Sequence, residues 1–402
     1  MGAHAPQTDT GVETIDLAFA TTAERQHTVH PVAVRSLSLT AFRSYETVRV
    51  EVGPDPVVLT GPNGAGKTNL LEALSYLSPG RGLRGARLAD LARRGDTRPW
   101  AVSARIETRD GPIQVGTGAD PESVNERRVV RIDGEGARGP AALAEVFSMI
   151  WLTPAMDGLF RESSSGRRRF FDRLVFAHDP LHARRFNAYE RAMRERARLL
   201  KEGRRDPAWL SALEETMAET GIAVAAARRD LADRLIPVLQ DGINPFPAAD
   251  LALDGTLENW IGEMPAVDAE QRFREALEAS RPRDAETGGA ATGPHKTDLA
   301  VVHRPSGMEA ELCSTGQQKS LVIALLLAAA KLESRRRPPV LLFDDVVAHL
   351  DDDHRTALFS TVLELGLQAW MTGTDDDLFR ALDGRAQNFR IADGKAVARD
   401  TA

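Results

Sequence analysis

The sequence predicts an α/β fold: a parallel core sheet, a small antiparallel sheet beside it, and a helical lobe inserted between the two halves of the core. Three observations carry this expectation. The apolar strand Val57-Val58-Leu59-Thr60 runs straight into Gly61-Pro62-Asn63-Gly64-Ala65-Gly66-Lys67-Thr68 and then into the helical run Asn69 to Leu74. A second apolar strand, Pro339 to Phe343, is short and continuous, as in a buried parallel sheet, and ends in Asp344-Asp345. Between them, residues from about Ser165 to Arg281 are rich in Ala, Arg, Glu and Leu, with few strand patterns.

Taken in order, residues 1–33 mix Thr, Gln, His and Ala and read as a disordered tail. They lack the cationic start and apolar stretch of a signal peptide. From Val34, Leu37 and Leu39 alternate with polar residues, Phe42-Arg43-Ser44-Tyr45 follows, and Val48, Val50 and Val52 alternate again. This period of two on either side of a short connection predicts two paired strands. Further alternation at Trp100–Ile106 and Arg128–Ile132, with Asp-Gly turn signals at 110–111 and 133–134, completes the small antiparallel sheet. The helical stretch is broken near Gly203, Pro207 and Pro245–Pro247 and shows no heptad repeat. The α/β pattern returns after a linker at Ala285–Gly293. The expected division is therefore a discontinuous nucleotide domain, 34–150 with 294–402, and a mainly helical lobe, 151–293.

Bulk properties narrow the function classes. The chain has 402 residues, a net charge of −7 and one cysteine, Cys313. No internal disulfide can form, which fits a reducing cytoplasm. The longest apolar stretch, Leu321 to Ala330, is too short to cross a membrane and reads as a buried helix.

Gly61 to Thr68 fits G-x-x-x-x-G-K-[ST] in a strand–loop–helix context, the phosphate loop of nucleotide triphosphatases. Its backbone N–H groups and the following helix N-terminus suit phosphate. Lys67 is expected at the β- and γ-phosphates and Thr68 on Mg²⁺. Asp344, closing its strand, is the second Mg²⁺ group, through water; Asp345 is placed to orient or deprotonate the attacking water. Ser314-Thr315-Gly316-Gln317-Gln318-Lys319-Ser320 opens the helical run Leu321 to Glu333 and supplies a second anion site. One chain cannot easily fold both sites onto one nucleotide, but two chains can. Ser314, Gly316 and Gln317 are then expected to act across a dimer.

These motifs together resemble the ATP-binding-cassette ATPases. Within them the chain is similar to the RecF family, bacterial recombination-mediator ATPases related to SMC-type heads. The resemblance rests on Phe42-Arg43-Ser44-Tyr45, Gly61 to Ala73, Leu152-Thr153-Pro154, Arg167 to Asp172, Gly293 to Leu299, Ser314 to Ser320, and Leu342 to Asp351, and spans residues 34 to about 380. Departures include Ala155-Met156-Asp157, Glu162-Ser163-Ser164 and Lys296-Thr297, which concern loops outside the nucleotide chemistry. Thr372-Gly373-Thr374 stands where a switch histidine is found in other cassettes. The resemblance implies an ABC-ATPase head that binds ATP and Mg²⁺. Arg43, Gly61, Pro62, Asn63, Gly64, Ala65, Gly66, Lys67, Thr68 and Asn69 would contact the nucleotide. It further implies slow hydrolysis, an ATP-dependent homodimer gripping double-stranded DNA, a RecR-type mediator partner, and a role in recombinational repair of gaps through recombinase loading.

Arginines cluster in three stretches, residues 81–94, 161–169 and 184–205. Few aromatics are interleaved, so backbone contact with a duplex is favoured over single-strand stacking. Arg184, Arg185, Arg191 and Arg194 are the candidate DNA contacts. The competing readings are a transporter ATPase subunit, a long-armed SMC-like head, and a scaffold in which ATP is structural. The first is disfavoured by the long segment between phosphate loop and Ser314, the second by the absence of heptads, and the third by the intact Lys67 and Asp344-Asp345.

Overall fold

The computed structural model describes residues 32–120, 127–203 and 206–399. β1 (Ala33–Phe42) and β2 (Tyr45–Glu51) form an antiparallel hairpin whose last pair is Phe42 and Tyr45. Arg43 in its turn takes a left-handed conformation, φ 53°. β3 (Val57–Thr60) leads into the phosphate loop and α1 (Lys67–Ser75). β4 (Ala101–Thr108), β5 (Gly111–Ala119), β6 (Arg128–Ile132) and the short β7 (Glu135–Gly136) join the hairpin in an antiparallel sheet of order β2-β1-β4-β5-β6-β7. The period-two patterns thus place these strands as expected. α1 packs between β1 of this sheet and the core sheet.

The chain continues through α2 (Leu143–Val146), β8 (Met149–Leu152), α3 (Ser164–His178), α4 (His182–Lys201), α5 (Pro207–Asp241), β9 (Ala249–Asp254), α6 (Thr256–Glu263), α7 (Ala266–Thr287), β10 (Asp298–His303) and β11 (Met308–Glu309). It ends with α8 (Thr315–Glu333), β12 (Val340–Phe343), α9 (Asp352–Glu364), β13 (Ala369–Gly373), β14 (Gln387–Ala392) and β15 (Lys395–Arg399). The core sheet has the order β15-β14-β3-β13-β12-β8. All its neighbours are parallel except β15 on β14. Every residue of β3, β8 and β12 is buried, which is why these strands read as unbroken apolar runs. β8 is a core-sheet strand, so the expected division between residues 150 and 151 falls inside it.

A third sheet, β11-β10-β9, was not expected. The alternation Ala249, Leu251, Leu253 is its sequence signal, set in a segment whose surroundings are helical. α8 has no amphipathic stripe, because Leu321 to Ala330 are all buried, against β8, α3 and α5. The helical lobe has its own apolar cluster around Tyr189, Met217, Ile222, Phe273 and Leu277. Beside that cluster lie buried ion networks. Arg228 donates to both carboxylate oxygens of Asp172 at 2.7 and 3.0 Å and to the Pro294 carbonyl at 2.6 Å. Arg196 donates to Glu214 and Asp284, each at 2.8 Å. Such pairs are retained because either ion left alone in the interior is costly. Residues 1–31 of the expected tail, and Arg204 and Arg205, lie outside the described residues.

Candidate nucleotide-binding site

Three glycines of the phosphate loop have left-handed φ values, 149° at Gly61, 80° at Gly64 and 110° at Gly66. Two of them also have no room for a side chain. A Cβ on Gly61 would lie 2.3 Å from the Ile391 carbonyl oxygen, and one on Gly66 would lie 2.7 Å from Tyr45 Oη. The close approach is used: Tyr45 Oη donates to the Gly66 carbonyl at 3.1 Å. Tyr45, the last residue of the Phe-Arg-Ser-Tyr run, therefore braces the loop from the antiparallel sheet. Burial pushes its phenol well above the ordinary value, so it remains a donor.

Lys67 Nζ reaches back over the loop to the carbonyls of Gly61, 2.7 Å, and Pro62, 3.0 Å. Burial lowers its pKa from the ordinary value, an effect opposed by Asp345 and Asp344. Thr68 Oγ1 donates to Asp344 Oδ1 at 2.7 Å, and Thr372 Oγ1 donates to the same oxygen at 3.0 Å. The backbone N–H of Asp345 donates to Thr372 Oγ1 at 2.8 Å. Three adjacent parallel strands, β3, β13 and β12, thus deliver the phosphate loop, Thr372 and the acidic pair to the carboxyl ends of the sheet's strands. This is where ligands bind in open α/β sheets.

The donor set suits Mg²⁺. Thr68 Oγ1 and Asp344 are hard oxygen ligands, and Mg²⁺ typically takes one or two protein groups with phosphates and waters completing its shell. Among the described residues no cluster of three or more His, Cys, Asp or Glu could hold a metal alone. Burial raises the Asp344 pKa, despite the Thr68 and Thr372 hydrogen bonds. A cation beside it reverses that penalty. Asp345 is strained, with φ 52°, and its buried Oδ1 has no hydrogen-bond partner among the described residues. An unsatisfied carboxylate oxygen in a left-handed backbone is costly and is typical of active sites.

Arg43 and Asn69 sit at the rim. Arg43 makes a bidentate pair with fully buried Glu72 of α1, at 2.9 and 2.6 Å, and also donates to the Asp90 carbonyl. Asn69 donates to Ser44 Oγ at 2.9 Å and accepts from Arg84 at 3.2 Å. Arg84 was read only as one of the clustered arginines of residues 81–94, and Glu72 was not singled out from sequence, since it lies within an ordinary helical run and its partner is 29 residues away. Ser314, by contrast, lies elsewhere. It caps α8 through a reciprocal box, with Gln317 N donating to Ser314 Oγ and Ser314 N donating to Gln317 Oε1. Ser314, Thr315 and Gly316 are exposed, next to exposed Leu312, while Cys313 is buried. Among the described residues no hydrogen bond joins this segment to Lys67, Thr68, Asp344 or Asp345.

The arginine stretches separate once their partners are known. Arg167 is bound to Asp298 and Arg168 to the Thr297 carbonyl. Arg196 is buried and Arg198 is held by Glu195 and Glu202. Of the four candidate DNA contacts, Arg185 is half-buried against Asp179 at 2.6 Å. Arg184, Arg191 and Arg194 are exposed.

Among known proteins, residues 33–393 match the family described as the RecF/RecN/SMC N terminal domain. The chain is 49% identical over 366 residues to a protein of Mesorhizobium japonicum named DNA replication and repair protein RecF, covering 90% of this chain and 96% of that one. It is 46% identical over 370 residues to a protein of the same name from Rhizobium etli, covering 91% and 99%. Among solved structures it is similar to one described as the recombination mediator protein RecF-ATPrS in the RecFOR pathway. The TM-score is 0.79 at 22% identity, over 92% of this chain and 99% of that one.

Proposed function

The chain belongs to the RecF family, and from that premise we propose that it is an ATP-gated DNA-binding ATPase of recombinational repair. ATP and Mg²⁺ bind at the phosphate loop. Lys67 offsets charge on the β- and γ-phosphates, Thr68 and Asp344 hold the metal, and Asp345 orients the attacking water. Bound Mg²⁺ would supply further neutralisation of the phosphates. The nucleotide of one copy is completed by Ser314, Gly316 and Gln317 of a second, so that ATP closes a dimer and hydrolysis opens it. Closure is a population shift driven by tighter ATP binding in the closed state. The closed dimer grips duplex DNA in the cytoplasm and, with a RecR-type mediator, assists recombinase loading at gaps.

The observation that carries this reading is a separation within one chain. Thr68 and Asp344 touch, while the capped, exposed Ser314 segment makes no hydrogen bond to either among the described residues. A second copy that brings its Ser314 segment to the phosphate loop would complete the site. Arg43 is expected near the nucleotide, with Glu72 and the Asp90 carbonyl setting its orientation. A transporter role draws no support from these relatives, and no helix among the described residues is long and apolar enough to cross a membrane.

Light scattering coupled to gel filtration tests the reading, using Asp345→Asn with and without ATP and Mg²⁺. A monomer that becomes a dimer only with ATP is expected. A monomer under all conditions sinks the two-copy site.

A further inference from the structure

We infer that the exposed face of α4, together with the turn at Arg138–Pro140, forms the seat for the sugar–phosphate backbone of duplex DNA. The inference rests on the DNA-binding reading above and gives it a place on the molecule. Arg184, Asn187, Arg191 and Arg194 lie at positions i, i+3, i+7 and i+10 of α4 and so share one helix face. They line one wall of a concavity whose other wall is Arg138, Gly139, Pro140 and the following alanines. A second concavity adjoins it through Gly139 and Pro140 and is lined by Arg127, just before β6, and by Arg131 of β6, with Asp120 also present. Two elements far apart in sequence thus present arginines to the same cleft from opposite sides.

The charges there are available. Among the described residues, Arg127, Arg138 and Arg191 are exposed and have no acidic partner within 4 Å. Arg184 pairs with Glu145 at 2.9 Å and Arg194 with Glu190 at 3.2 Å, but all four side chains are at least one-third exposed. Exposed pairs of this kind contribute little and exchange readily for phosphate. The rest of this arginine-rich helix is committed: Arg185 to Asp179, Arg196 to the buried network, Arg198 to two glutamates.

Shape and composition select the ligand. No aromatic side chain lines either concavity, so nothing offers the stacking platform that single strands need. From Arg184 to Arg194 the helix rises ~15 Å at 1.5 Å per residue. That matches four to five nucleotide steps at ~3.4 Å each along one strand. Guanidinium groups at such intervals, on both walls, fit phosphates of a regular duplex and read no sequence.

The test is fluorescence anisotropy of a labelled duplex with the full chain, ATP and Mg²⁺, across a salt series. Arg138→Ala with Arg191→Ala is the principal variant. Neither side chain holds another part of the fold, so ATP-dependent dimerisation should be unchanged. Binding should weaken equally on duplexes of different sequence. The slope of log affinity against log salt should shrink by about 0.9 for each arginine removed. The exposed arginines after α1, tested as Arg81→Ala with Arg87→Ala, are the comparison. A wild-type slope in the Arg138/Arg191 variant, or a loss confined to the Arg81/Arg87 variant, overturns the assignment. So does wild-type preference for a single strand over a duplex of equal length. Wild-type protein that dimerises on ATP yet binds no duplex removes the DNA reading itself, a result distinct from a misplaced seat.

Discussion

Thr68 and Asp344, 276 residues apart, share a 2.7 Å hydrogen bond between the start of α1 and the end of β12. The contact joins the two halves of the candidate nucleotide site, with β13 between their strands. Replacing Asp344 with Asn keeps the shape and removes the charge. Hydrolysis should fall by at least ~10²-fold, on the scale of losing one preorganised electrostatic group. Affinity for ATP without Mg²⁺ should change little. Steady-state phosphate release and nucleotide titration with and without the metal would show it, and unchanged turnover would remove Asp344 from the site.

Gly66→Ala combines a left-handed φ with a Cβ 2.7 Å from Tyr45 Oη. It should cost about 1–3 kcal/mol of stability from backbone strain and weaken nucleotide binding through the displaced loop. Gly134→Ala is the comparison, since it shares the left-handed φ, at 85°, but has nothing within 4 Å of the new Cβ. Denaturant melts should show a cost there too, with nucleotide affinity intact.

Arg228→Ala should destabilise the chain by about 3–5 kcal/mol, the usual cost of leaving a buried carboxylate without its partner. Asp172 is the carboxylate concerned, itself hydrogen-bonded to His182 at 3.1 Å. Arg191→Ala should lie within about 0.5 kcal/mol of wild type, as exposed substitutions do. Parallel melts of the two variants distinguish structural from surface arginines.

Two histidines should give opposite pH dependences. Burial opposes charge on His178, but its hydrogen bonds to Glu333 and Asp230, both 2.6 Å, prevail and raise its pKa above 6.5. Its contribution to stability is fully present below the unfolded value and is lost as pH rises through the raised folded value. His295 is pulled down to about 4, chiefly by burial. It is held neutral between Tyr189 Oη at 2.6 Å and the Ala290 carbonyl at 3.0 Å. Stability is therefore lost as pH falls from about 6.5 towards 4. Urea midpoints across pH should lose the alkaline decline in His178→Gln and part of the acid decline in His295→Gln.

What was legible in the sequence was local. Gly61 to Thr68 announces itself because the loop needs its glycines, lysine and threonine at fixed spacing, between a strand and a helix that each carry their own period. Asp344 was legible because an apolar strand ended in acid. β9 was hidden because Ala249, Leu251 and Leu253 offer only three alternating positions among helices. The fate of the arginines was hidden for another reason. Arg196 and Arg191 are both polar positions of one helix, and only the distant partners Glu214 and Asp284, 18 and 88 residues further on, make the first of them core. Charge is written in the sequence, but its partner is set by the fold.

α8 is capped by Ser314 and ends at Glu333, which grips His178 of α3 and Arg336. With no free face, it can neither roll nor tilt alone. At 19 residues it is ~28 Å long. A push delivered at its capped end is therefore shared by α3, α5 and β8 as one body, as a piston moves with its cylinder lining when the two are bonded. A partner docked against Ser314 would press on a helix whose other end is bonded to His178 of α3.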